Sequence, residues 1–242
     1  MTRARFDLVV FDLAGTTVVD HDDVTHCLRE TLTLRAGLEI HLKEANTLLG
    51  RAKDVGLAEV LTHHGKPHQP NDPFVLELLA DFEERMIQHY LTDPGVGELS
   101  NASKVFADLK AMGVKIGVDT GFSVRVTTAL IARMGWEKAG LLDGWISCDQ
   151  VKIGRPAPYM IYHLMERLGV TDVARVIKIG DTPNDIKMGK AARCGLTLGV
   201  LNGSHTADEL QTHSPDALLP DISSLPATAS LAVIGSESAP IR

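Results

Sequence analysis

The sequence predicts an α/β protein: a Rossmann-like parallel-sheet core with an all-helical cap domain inserted after its first strand. Three observations predict it. A short apolar run, residues 8–11, ends on Asp12 and a Gly15-Thr16-Thr17 turn. From Ser100 onward, strand-like apolar segments alternate with amphipathic helical ones, the pattern of a parallel sheet with right-handed crossovers. Between these two parts, residues 20–96 show helical periodicity only. The expected division is a core of residues 1–19 and 97–226, a cap of residues 20–96, and a Ser-, Ala- and Pro-rich tail of residues 227–242 that is expected to be flexible.

The run Leu8-Val9-Val10-Phe11 is short and rich in β-branched and aromatic side chains, so it reads as a buried strand. Asp12 follows at once, and open parallel sheets bind ligands at the carboxyl ends of their strands. Taken alone, Asp12-x-x-Gly15 fits a strand ending in an Asx-type turn just as well. Val24, Cys27, Leu28 and Leu32 then recur at helical spacing behind Asp22 and Asp23, and Gly37 stops that helix. A second helix is expected over 42–49, ending at Gly50, and a third over 52–64. His63, His64 and His68 fall in a Gly- and Pro-rich loop and read as solvated side chains in preference to metal ligands. Asp72-Pro73 opens a fourth helix carrying Leu78, Leu79, Phe82, Met86 and Tyr90, which closes at Asp93-Pro94-Gly95. The helical pattern looks self-contained and would form a lid over the strand ends, hinged near 18–20 and 93–97.

Beyond Ser100 the spacing predicts a helix over 102–112 and a strand over 114–118 running into Asp119-Thr120-Gly121. A helix from Ser123 to Met134 and a weak strand over 144–147 follow, then a helix from Pro156 to Leu168. The strand over 176–179 ends at Gly180-Asp181-Thr182-Pro183-Asn184-Asp185, a helix runs from Pro183 to Gly195, and the last strand covers 196–200.

Composition excludes some functions. A net charge of −7 with no Lys/Arg run argues against nucleic acid and anionic membrane partners, since both require a basic face. Cys27, Cys148 and Cys194 stand at unrelated spacings, which suggests neither a disulfide framework nor a zinc site. With no signal-peptide pattern and no apolar stretch of membrane length, a cytoplasmic location is expected.

The chemistry sits at the strand ends. Asp12 and Asp181 each end a buried strand, Asp185 lies in the first turn of the helix behind Asp181, Thr120 ends a third strand, and Arg155 sits in a Gly-Arg-Pro loop. If these ends are neighbours, the carboxylates repel one another and call for a hard divalent cation, which for Mg²⁺ means a few carboxylates plus oxygens of water and substrate. A Thr hydroxyl, backbone N–H groups and a guanidinium would hold phosphoryl oxygens, and an Asp carboxylate can attack phosphorus.

In these residues the chain resembles the haloacid dehalogenase superfamily of hydrolases. The likeness covers essentially the whole sequence, with the motifs in order: Asp12-x-Ala14-Gly15-Thr16-Thr17, Thr120, Arg155, and Gly180-Asp181-Thr182-x-x-Asp185. The resemblance implies that Asp12 is the nucleophile and that Asp12, Asp181 and the Ala14 carbonyl hold Mg²⁺, with Asp185 supporting that site. Thr120 and Arg155 would grip the phosphoryl group, and Thr16, Gly50 and Gly121 would bind substrate. Most phosphatases of the superfamily carry a second aspartate two residues after the nucleophile, to protonate the leaving alkoxide. That position is Ala14, and losing a general acid typically costs about 10²–10⁴-fold. Alanine there resembles the phosphonatase branch, which cleaves a C–P bond after a cap lysine forms a Schiff base with the substrate aldehyde. Leu49-Gly50-x-x-Lys53 is similar to that branch's Met-Gly-x-x-Lys cap motif, so Lys53 is the implied Schiff-base residue. Without Ala14 and Gly50 beside it, Lys53 would read as a solvated helix lysine. Its pKa has to be lowered by burial or by a nearby cation, for which Arg51 is close in sequence.

The pattern departs from true phosphonatases at several places. Gly56 stands where a histidine follows the lysine, Leu49 replaces methionine, Phe122 replaces an aromatic hydroxyl, and Asp22 and Asp23 occupy the neighbourhood of an expected cysteine. The stretch Gly203-Ser204-His205 is nearer to a phosphonatase-like subgroup. The expected activity is therefore cleavage of phosphonoacetaldehyde or a related small phosphonate through an aspartyl-phosphate on Asp12. The rival is a phosphomonoester phosphatase in which water, Asp22 or Asp23 replaces the missing acid. A non-catalytic phosphoryl binder is a third reading, opposed by the intact Asp12, Thr120, Arg155, Asp181 and Asp185. The resemblance also implies a homodimer formed through the cap.

Overall fold

The computed structural model describes residues 5–225; the tail expected to be flexible lies outside the described residues. Six parallel strands form one sheet: β1 (Leu8–Phe11), β2 (Lys115–Thr120), β3 (Gly144–Ser147), β4 (Val176–Gly180), β5 (Leu196–Val200) and β6 (Ala217–Leu219). Their order is β3-β2-β1-β4-β5-β6. The chain builds outward from β1 through β2 to β3, then returns to β1's other edge with β4. That reversal is the topological switch point at which such sheets bind ligands. Phe11 lies in register with Val118 of β2 and Ile179 of β4, so Asp12, Thr120 and Asp181 all emerge at the same end of three adjacent strands.

β1 is apolar throughout because both of its faces are covered. Val9 and Phe11 join one apolar cluster and Leu8 and Val10 the other, all fully buried. The helices α5 (Ala102–Ala111), α6 (Val124–Met134), α7 (Tyr159–Leu168) and α8 (Pro183–Ala192) cover the sheet. α7 starts three residues later than expected. Ala157 precedes Pro158, and the residue before a proline is held out of the helical region. Two elements were not expected, β6 and α9 (Ala207–Gln211). Both are short, although α9 opens on a Thr206–Glu209 capping box that is visible as Thr-x-x-Glu in the sequence. No described helix is long and apolar enough to cross a membrane.

Between β1 and α5 stand α1 (Asp23–Ala36), α2 (Leu42–Asn46), α3 (Lys53–His63) and α4 (Pro73–Thr92), with no strand among them. The second expected helix is one turn long, because Thr47–Gly50 turns away and Gly50 takes a positive φ of 68°. The two connections to the core run side by side: Val19 N donates to Gly97 O at 3.0 Å and Leu99 N to Thr17 O at 2.9 Å.

The helical insertion shares its apolar packing with the sheet domain. α4 packs along α6, and Phe82, Met86 and Tyr90 share one apolar cluster with Val126, Leu130 and the sheet residues Val9 and Phe11. α6 also ties down the end of α4: Arg133 donates to Leu91 O at 3.2 Å and to Asp93 O at 3.0 Å, and Arg125 pairs with Glu83 at 2.9 Å. The stripe that reads in the sequence as the inside of a separate cap is therefore shared with the core.

Candidate active site

Asp12, Asp181 and Asp185 converge at the switch point. One carboxylate oxygen from each lies within 4.8 Å of the others, and all three side chains are buried. Asp181 is held from both sides. Thr16 Oγ1 donates to its Oδ1 at 2.9 Å, and Ser204 donates to its Oδ2 from N at 2.8 Å and from Oγ at 2.7 Å. Glycines permit this enclosure: a Cβ on Gly15 would come within 2.5 Å of Asp181 Oδ2, and one on Gly203 within 2.3 Å of Asp181 Cβ. Asp185 belongs to the capping box that opens α8, accepting from Thr182 Oγ1 at 2.6 Å. Its other oxygen faces Lys178 Nζ at 2.9 Å and Arg155 Nη1 at 3.1 Å.

Arg155 is the hub of this network. Its Nη2 donates to Asp12 Oδ1 at 2.7 Å, to Asp119 O at 2.8 Å, and to the Asp119 carboxylate. Lys178, fully buried in β4, donates to Asp119 Oδ1 at 2.6 Å. Burial pushes Asp12 up to about 7; Arg155 opposes this and the Asp185 charge adds to it. Burial and then Asp185 also raise Asp181. Burial alone would raise Asp185 too, but Arg155 and Lys178 hold it below the usual carboxylate range. Arg155 itself is held well above its ordinary value: burial opposes this, and Asp119 and Asp12 outweigh it.

This donor set fits a hard divalent cation. Four buried carboxylates (Asp12, Asp119, Asp181, Asp185) face two buried cations (Arg155, Lys178), which leaves two negative charges. All the available donors are oxygens, the preference of Mg²⁺.

The helical insertion contributes Lys53, the first residue of α3. It is 5% exposed, with Nζ donating to Leu48 O and Arg51 O at 3.1 Å each and standing 5.6 Å from the Phe122 ring centroid. Burial lowers its pKa to about 8. Arg51 is not the cation that acts on it. The Arg51 guanidinium turns away to Glu59 at 2.7 Å, and Arg155 is the cation that lowers Lys53.

A cavity joins the two sides. Asp12, Ala14, Gly50, Lys53, Thr120, Gly121 and Arg155 all line it, together with Asp20, Thr182 and Ser204. The glycines allow the helical insertion and the sheet domain to approach closely: a Cβ on Gly50 would come within 2.5 Å of Thr182 Oγ1, and one on Gly121 within 2.7 Å of Arg51 O. Asn184 Nδ2 donates to Leu49 O at 3.1 Å across the same seam. Asp181 and Asp185 stand behind the wall. Thr16 is fully buried, its hydroxyl engages Asp181 and its N–H donates to Leu13 O, so it positions a carboxylate. Asp22 and Asp23 do not reach the cavity. Asp22 is exposed, and Asp23 pairs with His89 at 3.3 Å.

Sequence reasoning missed Asp20, Asp119 and Lys178. Asp20 lines the cavity while its Oδ1 accepts from Asp23 N at 2.7 Å, capping α1, and burial raises it to about 6. For Asp119 and Lys178 the signal was present, since each is a charge inside an otherwise apolar strand of a doubly covered sheet.

Comparison with known proteins agrees with this geometry. Residues 6–193 match the haloacid dehalogenase-like hydrolase family, and the chain belongs to it. Within that family it falls in the phosphonatase-like subgroup. It is 30% identical over 216 residues to the phosphonoacetaldehyde hydrolase of Parabacteroides distasonis, covering 81% of this chain and 76% of the relative. Among solved structures, the phosphonoacetaldehyde hydrolase-like protein of Oleispira antarctica superimposes with a TM-score of 0.79 at 20% identity, covering 99% of this chain and 98% of that one. CbbY of Rhodobacter sphaeroides, in complex with xylulose-1,5-bisphosphate, gives a TM-score of 0.76 at 18% identity over 91% and 96% of the two chains. At these identities the two structures speak to the fold alone.

Proposed function

We propose that this hydrolase cleaves the C–P bond of phosphonoacetaldehyde or a related small phosphonate, with residues 20–96 acting as its cap. One observation carries the reading. Lys53, buried and easily neutralised, lines the same cavity as Asp12, while Ala14 leaves no carboxyl where a phosphatase would protonate an alkoxide.

The steps follow from the residues. Neutral Lys53 Nζ adds to the aldehyde carbon and water leaves, giving an iminium. An Asp12 carboxylate oxygen attacks phosphorus; the P–O bond forms as the C–P bond breaks, and the C–P electron pair moves into the iminium to give an enamine. Arg155 and the Thr120 hydroxyl hold the phosphoryl oxygens; Arg155 Nε is buried with no hydrogen-bond partner among the described residues and is available for this. The enamine carbon takes a proton, and hydrolysis of the imine returns Lys53 and releases acetaldehyde. Water then cleaves the aspartyl-phosphate. Asp20 is the carboxyl positioned to carry the protons, being the cavity's remaining titratable side chain beside Asp12, Lys53 and Arg155. Mg²⁺ would be held by Asp12, Asp181 and the Ala14 carbonyl with Asp185 behind them, and it supplies positive charge against the phosphoryl group.

The test is stoichiometric release of acetaldehyde and phosphate from phosphonoacetaldehyde, with borohydride labelling Lys53 in the presence of substrate. Efficient hydrolysis of phosphate esters, with Lys53→Arg fully active and no trapping, would overturn the reading. A phosphomonoesterase is the second reading, and Asp20 is the observation that favours it, since a carboxyl in the cavity could protonate an alkoxide.

A further inference from the structure

A second and larger cavity, of about 580 Å³, adjoins the first between cap and core. Lys53, Gly121, Phe122 and Arg155 border both. Its volume is in the range of small-molecule sites, about 300–1,000 Å³. In the proposed reading, a two-carbon phosphonate places its phosphoryl group on Asp12 and Arg155 and its carbonyl on Lys53, residues that line the first cavity.

Part of the wall of the second is apolar. Val55 of α3, Leu79 and Phe82 of α4, Val126 of α6, and Phe122 line it. Asp54 and Lys152 also border it, and three of its other charged groups are engaged elsewhere. Arg51 pairs with Glu59 at 2.7 Å, Glu83 with Arg125 at 2.9 Å, and the Asp149 carboxylate accepts from Val124 N at 3.0 Å. What such a chamber recognises is apolar surface.

Lys53 stands at the junction, so a carbonyl carbon bonded to its Nζ carries one substituent toward each cavity. The phosphonomethyl arm goes to Asp12, and the other substituent goes to the chamber. We propose that the chamber receives an apolar chain on the carbonyl carbon, making 2-oxoalkyl phosphonates with an apolar tail the preferred substrate class. This rests on the phosphonatase reading and extends it. The chemistry balances as before: the ketone carbon forms the imine with loss of water, Asp12 takes phosphorus as the C–P pair enters the iminium, and the sum consumes one water to give a methyl ketone and phosphate.

The experiment compares 2-oxopropyl, 2-oxobutyl and 2-oxohexyl phosphonates, with phosphonoacetaldehyde as the reference, by phosphate release. Burying a methylene is worth about fourfold, so kcat/KM should rise by about that factor per carbon along the ketone series. Leu79→Trp, and separately Val55→Trp, should flatten the rise by filling the chamber and leave phosphonoacetaldehyde cleavage unchanged. A flat or falling series in the wild-type enzyme, with phosphonoacetaldehyde still cleaved, overturns the chamber's role and leaves the phosphonatase reading standing. The same holds if the rise persists undiminished in both tryptophan variants. Failure to cleave any phosphonate, with no borohydride trapping, overturns the phosphonatase reading itself.

Discussion

On the core side of the cavity, Asp12, Asp119, Asp181 and Asp185 are locked to Arg155, Lys178, Thr16, Thr182 and Ser204 by short charge-assisted bonds. On the cap side the one buried cation, Lys53, is held by two backbone carbonyls and an aromatic ring. The core's charges are paired with one another, and removing any one leaves another stranded in a dry interior. The amine's direct partners are neutral and burial lowers its pKa to about 8, so it gives up its proton more readily than an exposed lysine. On the proposed mechanism the core would take the phosphoryl group from whatever is presented, and the helical insertion would decide how the remainder of the substrate leaves.

The most severe way to break this comparison is to disable the core. Asp12→Asn should lower C–P cleavage and any phosphate release by on the order of 10⁴-fold or more, because the nucleophile serves every substrate. Excess chelator should do the same and added Mg²⁺ should reverse it; activity that survives chelation would refute the proposed cation site. Next in size, Lys53→Arg should abolish cleavage of phosphonoacetaldehyde, roughly 10³-fold or more, while hydrolysis of acetyl phosphate, whose leaving group needs no acid, stays near wild type. An equal loss on both substrates would mean that cap and core do not divide the work in this way.

Asp20→Asn should cost about 10²-fold in C–P cleavage, the low end for a lost proton carrier, with borohydride trapping at Lys53 preserved. Full activity in that variant would remove Asp20 from the mechanism.

The smallest effect concerns pH and stability. With Lys53 near 8, the rate of imine formation should climb with pH through about 8 and then level, where an ordinary lysine would keep climbing to about 10.4. The linkage has a definite sign. A cation whose folded pKa is depressed is a burden below that pKa, because the unfolded chain binds the proton more tightly; the burden is relieved as pH rises from about 8 toward the unfolded value. Lys53→Met should therefore stabilise the protein at pH 7, by up to about 3 kcal/mol, and the advantage should vanish above about pH 10.5. Denaturant midpoints at pH 7 and pH 10.5 measure it. Destabilisation at pH 7 would show that the carbonyl bonds outweigh desolvation.

Much of the site was legible because it is local. An apolar run ending in a polar residue marks Asp12, Thr120 and Asp181, and Pro183 fixes Asp185 in the first turn of α8. The loop motif Gly50-x-x-Lys53 was readable for the same reason. The hydroxyl of Thr16 could face either way in the sequence, and only the position of Asp181 decides which. Asp22 and Asp23 drew attention over Asp20 because they precede the helix, yet Asp20 is the residue whose side chain caps α1 and faces the cavity. The apolar stripe of α4 was visible, but not that α6 would cover it.

The sequence by itself determined the parallel strands, the helical insertion and the reactive groups at strand ends, since each follows from periodicity and turn chemistry within a dozen residues. Only the tertiary structure decided that Asp119 and Lys178 join Arg155 on either side of β1, that Arg51 faces away, and that Lys53 is dry enough to lose its proton. Those outcomes depend on distances between residues far apart in the chain and on the water excluded between them, and a one-dimensional pattern encodes neither.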